Sequence, residues 1–243
     1  MQLNPKLIKN KFKKSMDKYD ENAVVQKLMA EKLIANLPQK SYEKILELGC
    51  GTGILTKHIA QSLSYKKYYA NDIVEKSKFY VDKIIIDNIF ICGNAQKIKL
   101  PSKVDLIISN AMFQWFSNLD KVLEYYGTLL NQGGTIAFST FSPNNFLEIR
   151  EITGLSLDYK TTDEIHRILE RNFEIIYLEN FDYKLNFANP LEILAHMKNT
   201  GVNSLTGKQW GITDVKIFCD EYKKKFPDLS LTYSPIIAIC KKY

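Results

Sequence analysis

The chain has 243 residues, of which 45% are hydrophobic and 25% charged, so it is long enough for one large domain with a sizeable core. Its 33 Lys and Arg residues exceed its 27 Asp and Glu residues, giving a net charge of +6, which fits a solvated surface, a nucleic acid or an acidic partner protein. There is no apolar run of membrane-spanning length, no signal-peptide pattern and no metal-ligand spacing among the four cysteines, so we expect a cytoplasmic protein without a metal.

Residues 1–37 predict an N-terminal helical cap, because Phe12, Met16, Tyr19 and Leu28 lie at roughly helical spacings. A break is expected near Asp20. Strand and helix patterns then alternate, and this alternation predicts an α/β fold with a doubly wound, mostly parallel sheet. The predicted strands are residues 45–48, 68–71, 89–92, 104–109 and 135–140; the predicted helices are residues 56–63, 73–84 and 119–130, with a turn at 131–134.

The pattern after Phe141 is less regular. Helices are predicted at residues 162–171 and 190–199, and strands at 173–181 and 229–241. We treat residues 1–243 as one domain. Segments 145–170 and 186–228 are expected to form a helical lid on the acceptor side of the site.

A glycine-rich loop follows the first predicted strand, where residues 45–53 read ILELGCGTG. The spacing of Gly49, Gly51 and Gly53 differs from the dinucleotide fingerprint and from a phosphate-binding loop. Glycine lets a turn adopt positive φ and lets a ligand approach the backbone. An acidic residue, Glu47, precedes the loop, so the pattern suits a cationic nucleoside without phosphates.

Polar residues follow the next strands in the same register. Ligands of open α/β sheets sit at the carboxyl ends of the strands. Asp72 ends the second strand and can accept both ribose hydroxyls, while Ile73 can pack on the adenine. Asn94 and Ala95 follow the third strand, near the adenine edge, and Asn110 follows the fourth. Each residue alone could be a turn or cap residue, but together they predict a nucleoside pocket.

The glycine motif resembles motif I of class I S-adenosylmethionine-dependent methyltransferases, which have a Rossmann-like fold. Three further segments, SNAMFQW at 109–115, FSTF through EIR at 138–150 and HMKNTGVNSL at 196–205, resemble the malonyl-acyl carrier protein O-methyltransferases of biotin synthesis. This resemblance spans nearly the whole chain. It implies S-adenosylmethionine as cofactor and methyl transfer to the free carboxylate of malonyl-acyl carrier protein.

A carboxylate acceptor needs no general base, because its pKa of about 4 leaves it ionised at neutral pH. Catalysis then depends on in-line positioning. Arg150 is the first candidate to hold the carboxylate, because arginine binds carboxylates through two hydrogen bonds. Tyr19 is expected to close over the methionine or malonyl end, with Gln114 and Trp115 lining the acceptor pocket and Lys198 as a further candidate. Each of these side chains also has a purely structural interpretation.

Other acceptors stay open at this stage, including a quinone precursor, a free dicarboxylate such as aconitate, and RNA. RNA binding would place aromatic residues among basic ones, whereas the aromatic residues here lie mostly in apolar strands, so no stable nucleic-acid partner is expected. Acyl carrier proteins are acidic, so lysines at residues 6–18 and 223–225 are candidate contacts for the carrier. The residues do not distinguish the carrier from coenzyme A.

Overall fold

A computed structural model describes residues 5–201 and 210–243. Residues 1–4 of the predicted cap and residues 202–209 of the second predicted lid segment lie outside the described residues. The described strands are β1 (Ser41–Leu48), β2 (Ser64–Asp72), β3 (Asn88–Cys92), β4 (Val104–Ser109), β5 (Leu130–Phe141), β6 (Phe173–Asn180), β7 (Tyr183–Asn186), β8 (Ser230–Tyr233) and β9 (Pro235–Lys242). The described α-helices are α1 (Pro5–Asn22), α2 (Val24–Ala35), α3 (Ile54–Ser62), α4 (Ser77–Asp82), α5 (Leu119–Leu129), α6 (Leu147–Thr153), α7 (Thr162–Leu169), α8 (Pro190–Asn199) and α9 (Ile212–Lys225).

Seven of these strands form the central sheet, in the order β3-β2-β1-β4-β5-β9-β6. Strands β1 to β5 pair in parallel, and β9 runs antiparallel to both β5 and β6. The predicted doubly wound, mostly parallel sheet is therefore confirmed. The strand order reverses between β1 and β4, where Leu48 pairs with Ser109, so the loops after these two strands lie side by side at the switch point.

The sheet is buried on both faces, as expected where helices connect parallel strands. Successive residues of β1 point to opposite faces. Ile45 belongs to the core formed with α2 and α3, whereas Leu46 belongs to the core formed with α5 and α7. These two apolar layers fix the positions of the loops at the carboxyl end of the sheet. None of the described helices combines the length and apolar character that crossing a bilayer requires.

The single strand predicted at 229–241 is wrong. It is two strands, because β8 pairs with β7 in a separate two-stranded sheet while β9 enters the central sheet. Ser234 separates them, and Pro235 begins β9. All residues from Ser230 to Cys240 are buried, so no alternation in hydrophobicity marks the bend. The sequence patterns also did not identify α6, β7 or α9.

The predicted turn at 131–134 lies inside β5 instead. Val104 pairs with Leu130 and Leu106 with Thr135, so the intervening residues of β5 form a bulge. The helix predicted at 73–84 is shortened to α4. The first residues of the predicted helix form a turn instead, in which the Val74 N–H donates to the Asp72 side chain at 2.7 Å. The expected break after Asp20 is confirmed, since α1 ends at Asn22 and α2 begins at Val24.

Candidate active site

An open cleft with about 1400 Å³ of empty volume lies at the carboxyl ends of β1 to β4, next to α1. This position is typical of a ligand site in an open α/β sheet. The cleft brings together most of the residues predicted from the sequence: Tyr19, Glu47, Gly49, Gly51, Asp72, Ile73, Asn94, Ala95, Asn110, Gln114 and Trp115. Gly53, Arg150 and Lys198 are not among its described lining residues.

The glycine loop is shaped by close contacts as well as by positive φ angles. Gly51 has φ +56°, and a Cβ there would lie 3.1 Å from the Phe12 ring, so glycine lets α1 pack against the loop. Gly53 has φ +83°, and a Cβ there would lie 2.5 Å from the Ile84 side chain. Gly53 is the residue before α3, so it shapes the end of the loop without lining the cleft.

Asp72 presents its carboxylate to the cleft while being anchored by the backbone. The Gly51 N–H donates to Oδ2 at 2.9 Å, and the Val74 N–H donates to Oδ1 at 2.7 Å. Burial raises the pKa of Asp72, and these backbone hydrogen bonds oppose the rise. Each oxygen retains acceptor capacity. The group is therefore placed to accept the two hydroxyls of a ribose.

Glu47 is a second buried carboxyl at the cleft, with 1% of its surface exposed. Its Oε2 accepts hydrogen bonds from the Thr56 hydroxyl, at 2.8 Å, and from the Tyr68 hydroxyl. Burial raises the pKa of Glu47 to about 7, and these two hydrogen bonds oppose the rise. A cation in the cleft would favour the ionised form of this group.

The predicted amide residues line the cleft, but they differ in how many of their hydrogen-bonding atoms are already engaged. Asn94 Oδ1 accepts from the Gln96 N–H at 3.0 Å, so its carbonyl supports a turn. Asn110 uses both ends of its amide, donating to the Gln26 carbonyl at 2.8 Å and accepting from the Ser139 hydroxyl at 2.6 Å. It therefore fixes the loop after β4 between α2 and β5. Gln114 Oε1, by contrast, is buried without a partner among the described residues.

The four catalytic candidates separate into two pairs. Tyr19 and Gln114 line the cleft. Arg150 lies on α6, where its Nη1 donates to the Pro143 carbonyl at 2.5 Å, and Lys198 is exposed on α8. The geometry thus places Arg150 and Lys198 outside the described cleft walls, because a neighbouring carbonyl engages the guanidinium and the lysine faces solvent.

The sequence patterns did not identify several polar residues of the acceptor half. Asn145 and Tyr159 come from segments in which no strand–helix periodicity exists to locate them. Gln26 lies on α2 and Tyr233 on β8, where the periodicity does not distinguish a cleft-lining residue from a core residue. Asn145 is the one that a sequence signal could have found, because it lies just after the carboxyl end of β5, as Asn94 lies just after β3. The missed polar residues that line the cleft are Gln26, Asn145, Tyr159, Thr200 and Tyr233.

Comparison with known proteins identifies the family. Residues 46–138 match a family described as a methyltransferase domain. The chain is 33% identical to the malonyl-[acyl-carrier protein] O-methyltransferase of Bacteroides thetaiotaomicron, covering 99% of both chains. The chain belongs to this family. A Bacteroides fragilis protein of the same name is 34% identical over 97% of this chain, which spans 50% of that relative.

The fold agrees with this membership. A Bacillus halodurans structure described as a candidate methyltransferase superposes with a TM-score of 0.64 at 17% identity, covering 88% of this chain and 98% of that one. The chain is therefore an S-adenosylmethionine-dependent methyltransferase with the Rossmann-like class I fold. The cleft fits this cofactor chemically, with a carboxylate for a ribose at Asp72, apolar contacts at Ile73 and Ala95, and a buried acid for a cation at Glu47.

Proposed function

We propose that this methyltransferase methylates the free carboxylate of malonyl-acyl carrier protein, an early step of biotin synthesis. The full-length similarity to proteins named for that reaction carries the proposal. The cleft supports it, because a nucleoside half formed by the strand-end loops joins an acceptor half with aromatic and polar walls. S-adenosylmethionine supplies a methyl group already activated on a sulfonium.

On the nucleoside side we assign the glycine loop to the methionine moiety and Asp72 to the ribose. Ile73, Asn94 and Ala95 are assigned to the adenine. Glu47 supplies negative charge behind the loop, while Gly53 and Asn110 hold the loops in place. All of these residues except Gly53 line the cleft.

The acceptor half is built largely by segments outside the alternating core. Phe12 and Tyr19 of α1 line the cleft, which supports a cap role for residues 1–37. Asn145 and Tyr159 come from the first proposed lid segment, 145–170, and Thr200 comes from the second, 186–228. Because a carboxylate acceptor is ionised at neutral pH, these residues need only bind and orient it. Gln114 and Trp115 are assigned to the same wall.

An acyl carrier protein is the proposed partner, and it is an acidic one. The first turn of α1 borders the cleft, since the exposed Pro5 and the nearby Ile8 line it. This helix carries a series of lysines that would face a docked carrier. The four cysteines are free thiols, which suits the proposed location in the reducing cytoplasm.

A transfer assay tests the proposal. The protein is incubated with methyl-labelled S-adenosylmethionine and with malonyl-, succinyl- or acetyl-acyl carrier protein. We expect label on the malonyl form in a base-labile ester, and none on the acetyl form, which has no free carboxylate. Equal labelling of the acetyl form or of bulk RNA would contradict the proposal. Preferential labelling of a quinone precursor or free aconitate would instead identify another small acceptor.

A further inference from the structure

The acceptor half of the cleft contains no cationic side chain among its described lining residues. A substrate carboxylate is usually bound by arginine or lysine. The arginine predicted from the sequence for this role, Arg150, donates to the Pro143 carbonyl instead. The ionisable residues that do line the cleft are Glu47, Asp72, Cys50 and tyrosines. Within the described part of the lining, the donors that could hold an anionic acceptor are therefore uncharged.

Tyr159 has a hydroxyl that is oriented by a neighbour and can donate a hydrogen bond. Its hydroxyl oxygen accepts from Asn145 Nδ2 at 3.0 Å. Asn145 is itself fixed, because its Oδ1 accepts from the Ser234 N–H at 3.2 Å and only 2% of its surface is exposed. No acceptor for the Tyr159 proton occurs among the described residues. The amide thus orients the phenol and leaves its proton available to a ligand.

Tyr19 offers a second available hydroxyl. Its ring packs edge-to-face on Phe12 at 5.1 Å, and its hydroxyl forms no hydrogen bond within the described part of the chain. Tyr233, in contrast, is engaged by His196 Nε2 at 2.6 Å. Burial is the main cause that raises the pKa of Tyr233, with smaller contributions from Tyr19 and Tyr159. The Tyr159 and Tyr233 rings both pack on Phe141, with centroids 6.4 and 6.1 Å away, and Tyr19 lines the same cleft.

Uncharged donors suit a reaction in which charge disappears. The carboxylate loses its negative charge as the bond to the methyl group forms. A cation beside it would therefore stabilise the reactant more than the transition state, and only interactions that favour the transition state accelerate the step. A neutral hydroxyl orients the oxygen with a smaller penalty of this kind. Burial also raises the pKa of Tyr19 and of Tyr159, so both phenols stay protonated at neutral pH.

We propose that the hydroxyls of Tyr19 and Tyr159 hold the acceptor carboxylate for in-line attack, and that Asn145 acts as the positioning residue for Tyr159. This inference rests on the proposed function. A lone pair of the carboxylate oxygen forms the bond to the methyl carbon while the sulfur–methyl bond breaks and its electron pair returns to sulfur. A neutral ester and a neutral thioether result, and no proton is transferred.

Steady-state kinetics with malonyl-acyl carrier protein test the two hydroxyls. We expect Tyr19→Phe and Tyr159→Phe each to lower kcat/KM by roughly 10- to 100-fold, the effect of removing a hydrogen bond to a charged group. The affinity for S-adenosylhomocysteine should stay within about twofold for Tyr159→Phe, because its hydroxyl is assigned to the acceptor. Tyr126→Phe is the matched control and should leave kcat/KM unchanged. Among the described residues, the buried Tyr126 hydroxyl has no partner, and Tyr126 is not part of the described cleft lining.

A double variant tests the positioning role. Asn145→Ala should reproduce most of the loss seen in Tyr159→Phe, and the combined variant should lose little more than Tyr159→Phe alone. A residue that only supported the fold would instead give additive losses and a weaker affinity for S-adenosylhomocysteine. Such additive losses would remove Asn145 from the proposal.

The outcomes separate this inference from the proposed function. If the wild type transfers methyl to malonyl-acyl carrier protein but both phenylalanine variants keep kcat/KM within twofold, the assignment of the hydroxyls is overturned. The same holds if Arg150→Ala raises KM for the carrier substrate at least tenfold while both phenylalanine variants remain active. A wild type without transfer would overturn the proposed function, and this assignment with it.

Discussion

Glu47 is a buried acid in the proposed nucleoside half, and its charge state depends on what the cleft contains. Its carboxyl is almost fully buried and receives hydroxyl hydrogen bonds from Thr56 and Tyr68 on one oxygen. Two donors compensate only part of the cost of burying a charge, so the pKa of Glu47 is raised to about 7, mainly by burial. A pKa of about 7 leaves the carboxyl partly protonated at neutral pH in the free protein, and the sulfonium of a cofactor bound beside it would favour its ionised form.

The cofactor should therefore bind with a pH dependence that its product lacks. If the sulfonium favours ionised Glu47, S-adenosylmethionine binding releases a proton below about pH 7, the pKa of the free protein. Its Kd should therefore fall as the pH rises towards 7, by at most tenfold per pH unit, and level off above it. S-adenosylhomocysteine has the same amino group but a neutral sulfur, so its Kd should change less. Calorimetric titrations of both ligands at several pH values measure the difference.

Glu47→Gln provides the control for this prediction. The variant cannot ionise at this position, so the pH profiles of the two ligands should become parallel. Parallel profiles already in the wild type would show that Glu47 does not respond to the sulfonium. A variant that keeps the wild-type difference would assign it to another lining group, such as Asp72, whose pKa burial also raises.

At the scale of elements, the contacts that hold α1 over the cleft include polar ones made by Asp20 and Asp17. Asp20 accepts from the Thr52 hydroxyl at 2.5 Å and pairs with Lys57 at 3.2 Å, which ties the end of α1 to the glycine loop and α3. Asp17 pairs with Lys76 at 2.5 Å, next to α4. These ion pairs are largely exposed and contribute little stability. The packing of α1 also includes the buried Met16 and the contact of the Phe12 ring with Gly51.

Weakening the first contact should loosen cofactor retention. We expect Asp20→Ala to raise the dissociation rate of S-adenosylhomocysteine by roughly tenfold, because a hydrogen bond to a charged group is lost, with little change in Tm. Stopped-flow displacement measures the rate. Glu43→Ala is the matched control, since it breaks an exposed pair with Lys66 and Glu43 does not line the cleft. Equal effects of the two variants would argue against α1 as a cap.

The elements also show how far local patterns reach. The rule that ligands sit at the carboxyl ends of parallel strands located Asp72 and Asn94. These strand ends meet at one edge of the sheet however the rest of the chain folds. It could not locate Tyr159, whose place depends on an irregular segment packing through Asn145. Nor could the affinity of arginine for carboxylates reveal that the Pro143 carbonyl engages Arg150. Long-range packing, which has no period in the sequence, decided these positions.

At the scale of the whole molecule, the net charge of +6 favours association with an acidic partner. Lys9 and Lys13 lie one helical turn apart on α1, beside the cleft-lining residues Ile8 and Phe12. Neighbours four residues apart share one helix face. An acidic carrier that presents its malonyl arm to the opening of the cleft would meet these charges first, so we expect them to act on association rather than on chemistry.

Salt and charge reversal together test this steering. Raising ionic strength from 0.05 to 0.5 M should lower kcat/KM for malonyl-acyl carrier protein by roughly tenfold or more while kcat changes little, because steering increases the encounter rate. The paired change Lys9→Glu and Lys13→Glu should lower kcat/KM at low salt and flatten its salt dependence.

Malonyl-pantetheine lacks the charges of the carrier protein, so its methylation should respond neither to salt nor to the charge reversal. Lys66→Glu is the control, because Lys66 lies near the amino end of β2. If the reversal affected malonyl-pantetheine and the carrier substrate alike, the lysines would be acting on the cleft itself and not on docking.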